Sequence, residues 1–262
     1  MDKIYRDFYK YATTKKIDGR YVSGSVLDDY SKKSNLFVPK NVLNPLDYQS
    51  ASVVDESPNN HAVLLDIFSV MIKNRIIFVG DIDDESARIM SAQLLYLSNV
   101  DNEAPCSLYC SSSGGGIYSG MSLINAMDYI PNICKTVVTG LAASFGALIA
   151  INGSYGHRYI QPNSTMMIHQ PLISGGVGGP TDDIVINANE MIRLKNEINQ
   201  LIAHRSGHTV EEIEALCPRD KWLTPQEAIE WHFSDKILPV DPSKTLSYAE
   251  YIKSKETYIN SK

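Results

Sequence analysis

The sequence predicts an α/β fold with a parallel sheet, and three observations predict it. Short apolar runs of strand length alternate along the chain with longer segments of helical period. Two of these runs pass through small-residue turns directly into helices, at Ser111–Gly116 and at Thr139–Ala147. The chain has 262 residues, 44% of them hydrophobic, enough for one domain with a substantial core plus appendages. In such folds the active residues sit at the carboxyl ends of the strands.

The elements follow in order. Residues 1 to 60 are polar, with turn signals at Asn44-Pro45 and Ser57-Pro58, and form an N-terminal extension. His61 to Asn74 places Val63, Leu64, Ile67, Phe68 and Met71 at helical spacing and predicts an amphipathic helix. Arg75 to Gly80 is a buried strand, and Asp83 and Asp84 open a helix reaching about Asn99. Ser107 to Cys110 is the next strand; a serine and glycine turn leads from it into a helix ending near Ile130. Cys134 to Val138 is a strand, Ala147 to Ile151 a buried helix, and Arg158–Ile160 and Thr165–Ile168 are strands split at Pro162-Asn163. Ile173 to Pro180 holds four glycines and predicts an extended or mobile segment. Thr181 or Asp182 then caps a long helix to about Arg205, with Ile184, Ala188, Met191, Leu194, Ile198 and Leu201 in one stripe. Thr209 with Glu212 is a capping box; Thr224-Pro225 starts another helix, leaving Asp220 in a loop between the two. Lys236 to Leu238 is a last strand, and 241–262 is a polar tail.

Net charge is −6 with no basic stripe, which argues against nucleic acid as a partner. Cys106, Cys110, Cys134 and Cys217 form no CxxC and read as reduced structural thiols; no HExxH is present. The start carries no signal-peptide core, and no run reaches the length of a membrane span, so a cytoplasmic protein is expected.

Ser144 stands where a catalytic nucleophile stands, between a strand and a buried helix whose first N–H groups are unpaired. Taken alone it reads first as a helix cap. His169, at the end of an apolar run, could be a core histidine, and Asp220 a surface ion pair. Together they form a Ser, His, Asp series in which serine attacks, histidine moves the proton and aspartate orients it. The turn Ser111–Gly116 can present N–H groups to an anion. It has neither GK[ST] nor GxGxxG, so an oxyanion is preferred to a phosphate.

The segments Gly115–Gly120, Gly140–Ala147, Met167–Leu172 and Arg219–Ala228 resemble the Clp protease proteolytic subunit family, over about Asp66 to Leu238. The resemblance implies repeated β-β-α units, as in the crotonase-like folds, with a handle made of a glycine-rich strand and a long helix. It implies a serine endopeptidase with Ser144, His169 and Asp220 as catalytic residues and the N–H groups of Gly115 and Phe145 as the oxyanion hole. Ser113 stands where that family usually has proline, which predicts a looser turn. The resemblance also implies two stacked heptameric rings, axial loops at the N-terminus, and unfolded polypeptides delivered by a ring-shaped AAA+ ATPase of the Clp family. ATP is then used by that partner, and this chain carries no cofactor or metal of its own. Arg219 matches an arginine that pairs across the ring interface, with Asp183 as its partner; the handle carries a short insertion. An α/β-hydrolase esterase is disfavoured because Ala142 breaks G-x-S-x-G. A silent scaffold subunit of a mixed ring, or a crotonase-type acyl-CoA enzyme, would not need all three triad residues.

Overall fold

The structure, a computed structural model, describes residues 21–22, 52–56, 62–172, 178–241, 247 and 250. Most of the N-terminal extension, the glycine-rich residues 173–177 and most of the polar tail lie outside the described residues. The chain divides into two compact units, Met1–Ile77 and Phe78–Lys262.

The first unit contains β1 (Tyr21–Val22), β2 (Ser52–Glu56) and β3 (Ala62–Asp66), joined in that order as an antiparallel sheet, and helix α1 (Ile67–Lys73). The helix expected over His61–Asn74 is therefore half strand. A continuous apolar run carries either period, and pairing with β2 satisfies the backbone of Ala62–Asp66 before a helix can form there. Asp66 then starts α1 by accepting hydrogen bonds from the N–H groups of Phe68 and Ser69, both at 3.0 Å.

The second unit holds the rest of a seven-stranded sheet whose first strand, β4 (Ile76–Val79), begins at the boundary. It continues with α2 (Asp84–Val100), β5 (Cys106–Ser112), α3 (Ile117–Tyr129), β6 (Cys134–Ala143), α4 (Phe145–Ile151), β7 (Arg158–Ile160) and β8 (Thr165–Ile168). Then come α5 (Thr181–Ser206), α6 (Val210–Leu216), β9 (Lys221–Leu223), α7 (Pro225–Glu230) and β10 (Lys236–Ile237). The strand order is β10-β7-β6-β5-β4, with β8 attached to β6 and β9 to β8.

The pairs β5·β6, β6·β7, β6·β8 and β7·β10 are parallel; β8·β9 is antiparallel. The sheet is mixed, and the exception is β9, a strand the sequence reading left inside a loop. The ten-residue β6 serves two neighbours: Thr136–Val138 pair with β7, and Leu141–Ala143 with β8. Its buried Val137, Val138, Ala142 and Ala143 pack under α4, all seven of whose residues are buried. Helices α2 and α3 cover the sheet with Met90, Leu94, Leu97, Leu123, Ile124 and Met127.

Helix α5 begins after Pro180, which makes no side-chain cap, rather than under a Thr181 or Asp182 cap, and stops at Gly207 with φ 77°. Its apolar stripe is buried only in the second half, at Leu194 and Ile198, with Ile202 buried beside the half-buried Leu201. Thr181–Asn189 are all exposed, Ile184 and Ala188 included. The capping box expected at Thr209 is present, and the helix start expected at Thr224-Pro225 carries a capping box of its own, with Glu227. The four cysteines are free and buried. Among the described residues no helix is long and apolar enough to cross a membrane.

Candidate active site

Three strand ends build the site. Strand β5 ends at Ser112 in the glycine turn, β6 ends at Ala143 beside Ser144, and β8 ends at Ile168 beside His169. Because β6 and β8 run parallel in the register Ala143↔Met167, Ser144 and His169 leave the same edge of the sheet. The N–H of Ser144 donates to the carbonyl of Met167 at 2.8 Å, tying the two exits together.

Ser144 has φ 52° and ψ −127°, a conformation that costs a residue with a Cβ on the order of 1–3 kcal/mol. The sharp turn allows a strand that ends at Ala143 to give way to a helix that begins at Phe145. It also refutes the cap reading: Ser144 stands at the helix N-cap but its side chain makes no capping hydrogen bond. The hydroxyl faces a cavity of about 450 Å³ lined by Ser144, His169, Gly115 and Phe145, with Ile117, Leu148, Leu172 and Ile198 as its apolar wall.

Two backbone donors open into that cavity. In the glycine turn the N–H groups on either side of Gly115 are occupied. Ser113 donates to Asp81 Oδ1 at 2.9 Å, Gly114 to Ser112 Oγ at 3.1 Å, and Gly116 to the Ile82 carbonyl at 2.9 Å. The N–H of Gly115 has no partner among the described residues, nor does that of Phe145, the first residue of α4. Gly115 has φ 153°, and a Cβ there would fall 1.9 Å from the Ile82 carbonyl oxygen, so only glycine fits. Gly114, at φ 105°, lies against the nucleophile: a Cβ on it would be 2.5 Å from Ser144 Cβ.

Asp220 does not line the cavity. It directly precedes β9, whose antiparallel register with β8 is Met166↔Leu223, Met167↔Trp222, Ile168↔Lys221. The register ends at Ile168↔Lys221, so His169 and Asp220 are the next residue on each strand. Among the described residues no hydrogen bond links Ser144 Oγ, the His169 imidazole and the Asp220 carboxylate. Arg219 and Asp183 are both exposed and do not meet within the chain.

Ser113 is not loose, contrary to the expectation from the missing proline. Its hydroxyl donates to Asp81 Oδ1 at 2.6 Å in addition to its N–H. These bonds, the hydroxyl's first, hold the Asp81 carboxyl below its usual range. Asp81 escaped the sequence reading because it lies 32 residues from Ser113, with no motif connecting them. The cysteines offer no rival nucleophile: burial pushes the thiols of Cys110 and Cys134 up to about 12 and that of Cys217 to about 11.

Residues 59–241 match the profile of the Clp protease family. The chain is 37% identical over 235 residues to the ATP-dependent Clp protease proteolytic subunit of Porphyromonas gingivalis, covering 88% of this chain and 97% of that protein. It is 39% identical over 233 residues to the protein of the same name from Bacteroides thetaiotaomicron, covering 88% of this chain and 98% of that one. It is 41% identical over 176 residues to the ATP-dependent Clp protease proteolytic subunit 2 of Thermobifida fusca, with 67% and 86% covered. The first two matches take in part of residues 1–60, where the motif resemblance had stopped.

Proposed function

This chain belongs to the Clp protease family, and from that membership we propose that it is an ATP-dependent serine endopeptidase cutting unfolded polypeptides inside a chamber built of its own copies. The observation that carries the chemistry is the company Ser144 keeps. A strained serine shares one cavity with a histidine and with two backbone N–H groups that have no partner among the described residues.

In this mechanism His169 takes the Ser144 hydroxyl proton as Oγ attacks the peptide carbonyl carbon. The carbonyl oxygen gains negative charge and accepts hydrogen bonds from Gly115 and Phe145. One such donor is worth about 10²–10³ in rate. His169 returns the proton to the amine as the C–N bond breaks, leaving an acyl ester on Ser144. Water, deprotonated by His169, then attacks the ester carbonyl, and His169 returns that proton to Ser144 Oγ as the C–Oγ bond breaks and the acid leaves. Asp220 orients the imidazole and stabilises its charged form. The apolar wall formed by Leu148, Leu172 and Ile198 receives a side chain of the substrate. Side chains of Ser144, His169 and Asp220 that no hydrogen bond links among the described residues suit a site that tightens when substrate binds or copies assemble.

The remaining parts of the reading follow from the same membership. Rings of seven stack in pairs, with Arg219 and Asp183 at the ring interface; a cytoplasmic AAA+ ATPase of the Clp family supplies unfolding and consumes the ATP; residues 1–60 serve as a leader, an axial loop or a gate. The exposed apolar start of α5 supports assembly with further copies.

The test is a fluorophosphonate followed by intact-protein mass spectrometry. Wild type is expected to gain one adduct and Ser144→Ala none, with peptide turnover lost by at least about 10³-fold in the variant. Equal, background turnover of the two proteins, with and without an ATPase partner, would overturn the peptidase reading.

A further inference from the structure

The turn that carries the Gly115 amide is held from outside by a single neighbouring segment, Asp81-Ile82. Ile82 clamps its backbone on both sides: its N–H donates to the Gly114 carbonyl at 2.8 Å, and its carbonyl accepts from Gly116 N–H at 2.9 Å. The buried Ile82 side chain fixes that clamp in the core. Asp81 adds a side-chain charge. Both donors of Ser113, the N–H at 2.9 Å and the hydroxyl at 2.6 Å, converge on the one oxygen Oδ1.

Asp81 is itself anchored. Its carbonyl accepts from Ser86 Oγ at 3.0 Å, and Ser86 belongs to the capping box that starts α2 with Asp83. A line of hydrogen bonds therefore runs from the first turn of α2 through Asp81 to Ser113, two residues before the free amide of Gly115.

We infer that Asp81 is the positioning residue of the oxyanion site: by accepting both hydrogen bonds of Ser113, its carboxylate sets the direction in which the Gly115 N–H points. The inference rests on the serine-peptidase reading above. Asp81 touches no reacting atom and acts through the turn. Two donors reaching one charged oxygen are stronger than neutral bonds and fix both the place and the tilt of residue 113. A donor in an oxyanion site acts only if it meets the oxygen where charge develops, so a small rotation of this turn is felt in the transition state and hardly in substrate binding.

The experiment measures peptide hydrolysis per fluorophosphonate-titrated site, in the assembled protein, for Asp81→Ala, Asp81→Asn, Ser113→Ala and the double variant Asp81→Ala/Ser113→Ala, with Ser144→Ala as the zero. Asp81→Ala is expected to lower kcat about 10- to 100-fold while KM moves by less than about threefold. Asp81→Asn keeps an acceptor oxygen and should recover part of the loss. Ser113→Ala removes one of the two bonds and should lose less than Asp81→Ala. The double variant should equal Asp81→Ala, because Ser113 has nothing left to bond. Unchanged kcat in Asp81→Ala, a loss carried by KM, or additive losses in the double variant would overturn the inference while leaving the peptidase standing. Should Asp81→Ala not assemble, Ser113→Ala and Asp81→Asn decide the point by the same kcat and KM readout. If wild type turned over no more peptide than Ser144→Ala, the peptidase reading would fall, and this inference with it.

Discussion

Ser144 is held at φ 52°, a region that suits glycine better than serine. Besides turning the strand into the helix, this conformation keeps the hydroxyl off the helix end, where it makes no capping hydrogen bond, and serves the proposed reaction. Ser144→Gly should therefore abolish fluorophosphonate labelling without destabilising the fold. Relief of the strain, less the extra flexibility of glycine in the unfolded chain, should raise stability by up to about 1 kcal/mol. Denaturant titration of the two proteins checks this, and a clear loss of stability in the glycine variant would show that the serine is not strained. At this scale the candidates are legible in the sequence: Ser144, His169 and Gly115 stand out by their neighbours in the chain. The free N–H of Gly115 does not, because it is free only relative to bonds that Asp81, Ser112 and Ile82 make to the residues around it.

At the scale of elements, the β8·β9 ladder decides where the acid stands. Lys221-Trp222-Leu223 is too short for any period to show, and Asp220 before it reads as one polar loop residue among several. Pairing with Met166–Ile168 turns the loop into a strand and makes Asp220 and His169 the next residue on each strand. Asp220→Asn should keep this ladder, since the backbone makes it, and keep stability within about 0.5 kcal/mol at this exposed position. Turnover should nevertheless fall by about 10³–10⁴-fold, because a neutral amide no longer supports the charged imidazole. A kcat near that of wild type would remove Asp220 from the mechanism. Strand β3 stands where the sequence predicts helix for the related reason that four apolar residues in a row satisfy both periods, and β2 resolves the choice.

At the scale of the whole molecule, two features reach beyond single elements. The start of α5 exposes Ile186 at 64% and Val185 at 51%, an apolar surface that water does not favour. Ile186→Asp should shift the oligomer toward smaller species in sedimentation velocity and reduce peptide turnover in step. Unchanged sedimentation would show that this surface is not an assembly contact. Inside the second unit, Arg158 is buried and bonded to Asp235 through Nε at 3.1 Å and Nη2 at 2.5 Å, joining β7 to the approach of β10. Burial pushes the Asp235 carboxyl up, but the hydrogen bonds of Arg158 outweigh it and leave the carboxyl below its ordinary value. A carboxyl lowered by folding stabilises at pH values above its unfolded pKa, and that stabilisation disappears as the pH falls through the lowered value. Asp235→Ala should cost about 3 kcal/mol near neutral pH by stranding the buried guanidinium, and should flatten the acid side of the profile of Tm against pH. An acid limb as steep as that of wild type would show that Asp235 is not its source.

The sequence by itself determined the α/β class, the helices with capping boxes, the strands around Ser144 and His169, and the family resemblance. Each of these depends on local physics: the alternation of apolar runs, the side chains that cap a turn, and motifs a few residues long. Only the tertiary structure decided that β9 exists, that the first half of α5 is left uncovered, and that Asp81 takes up the bonds of Ser113. Those outcomes turn on partners dozens of residues away, whose backbone groups and charges find each other only when the sheet closes its register.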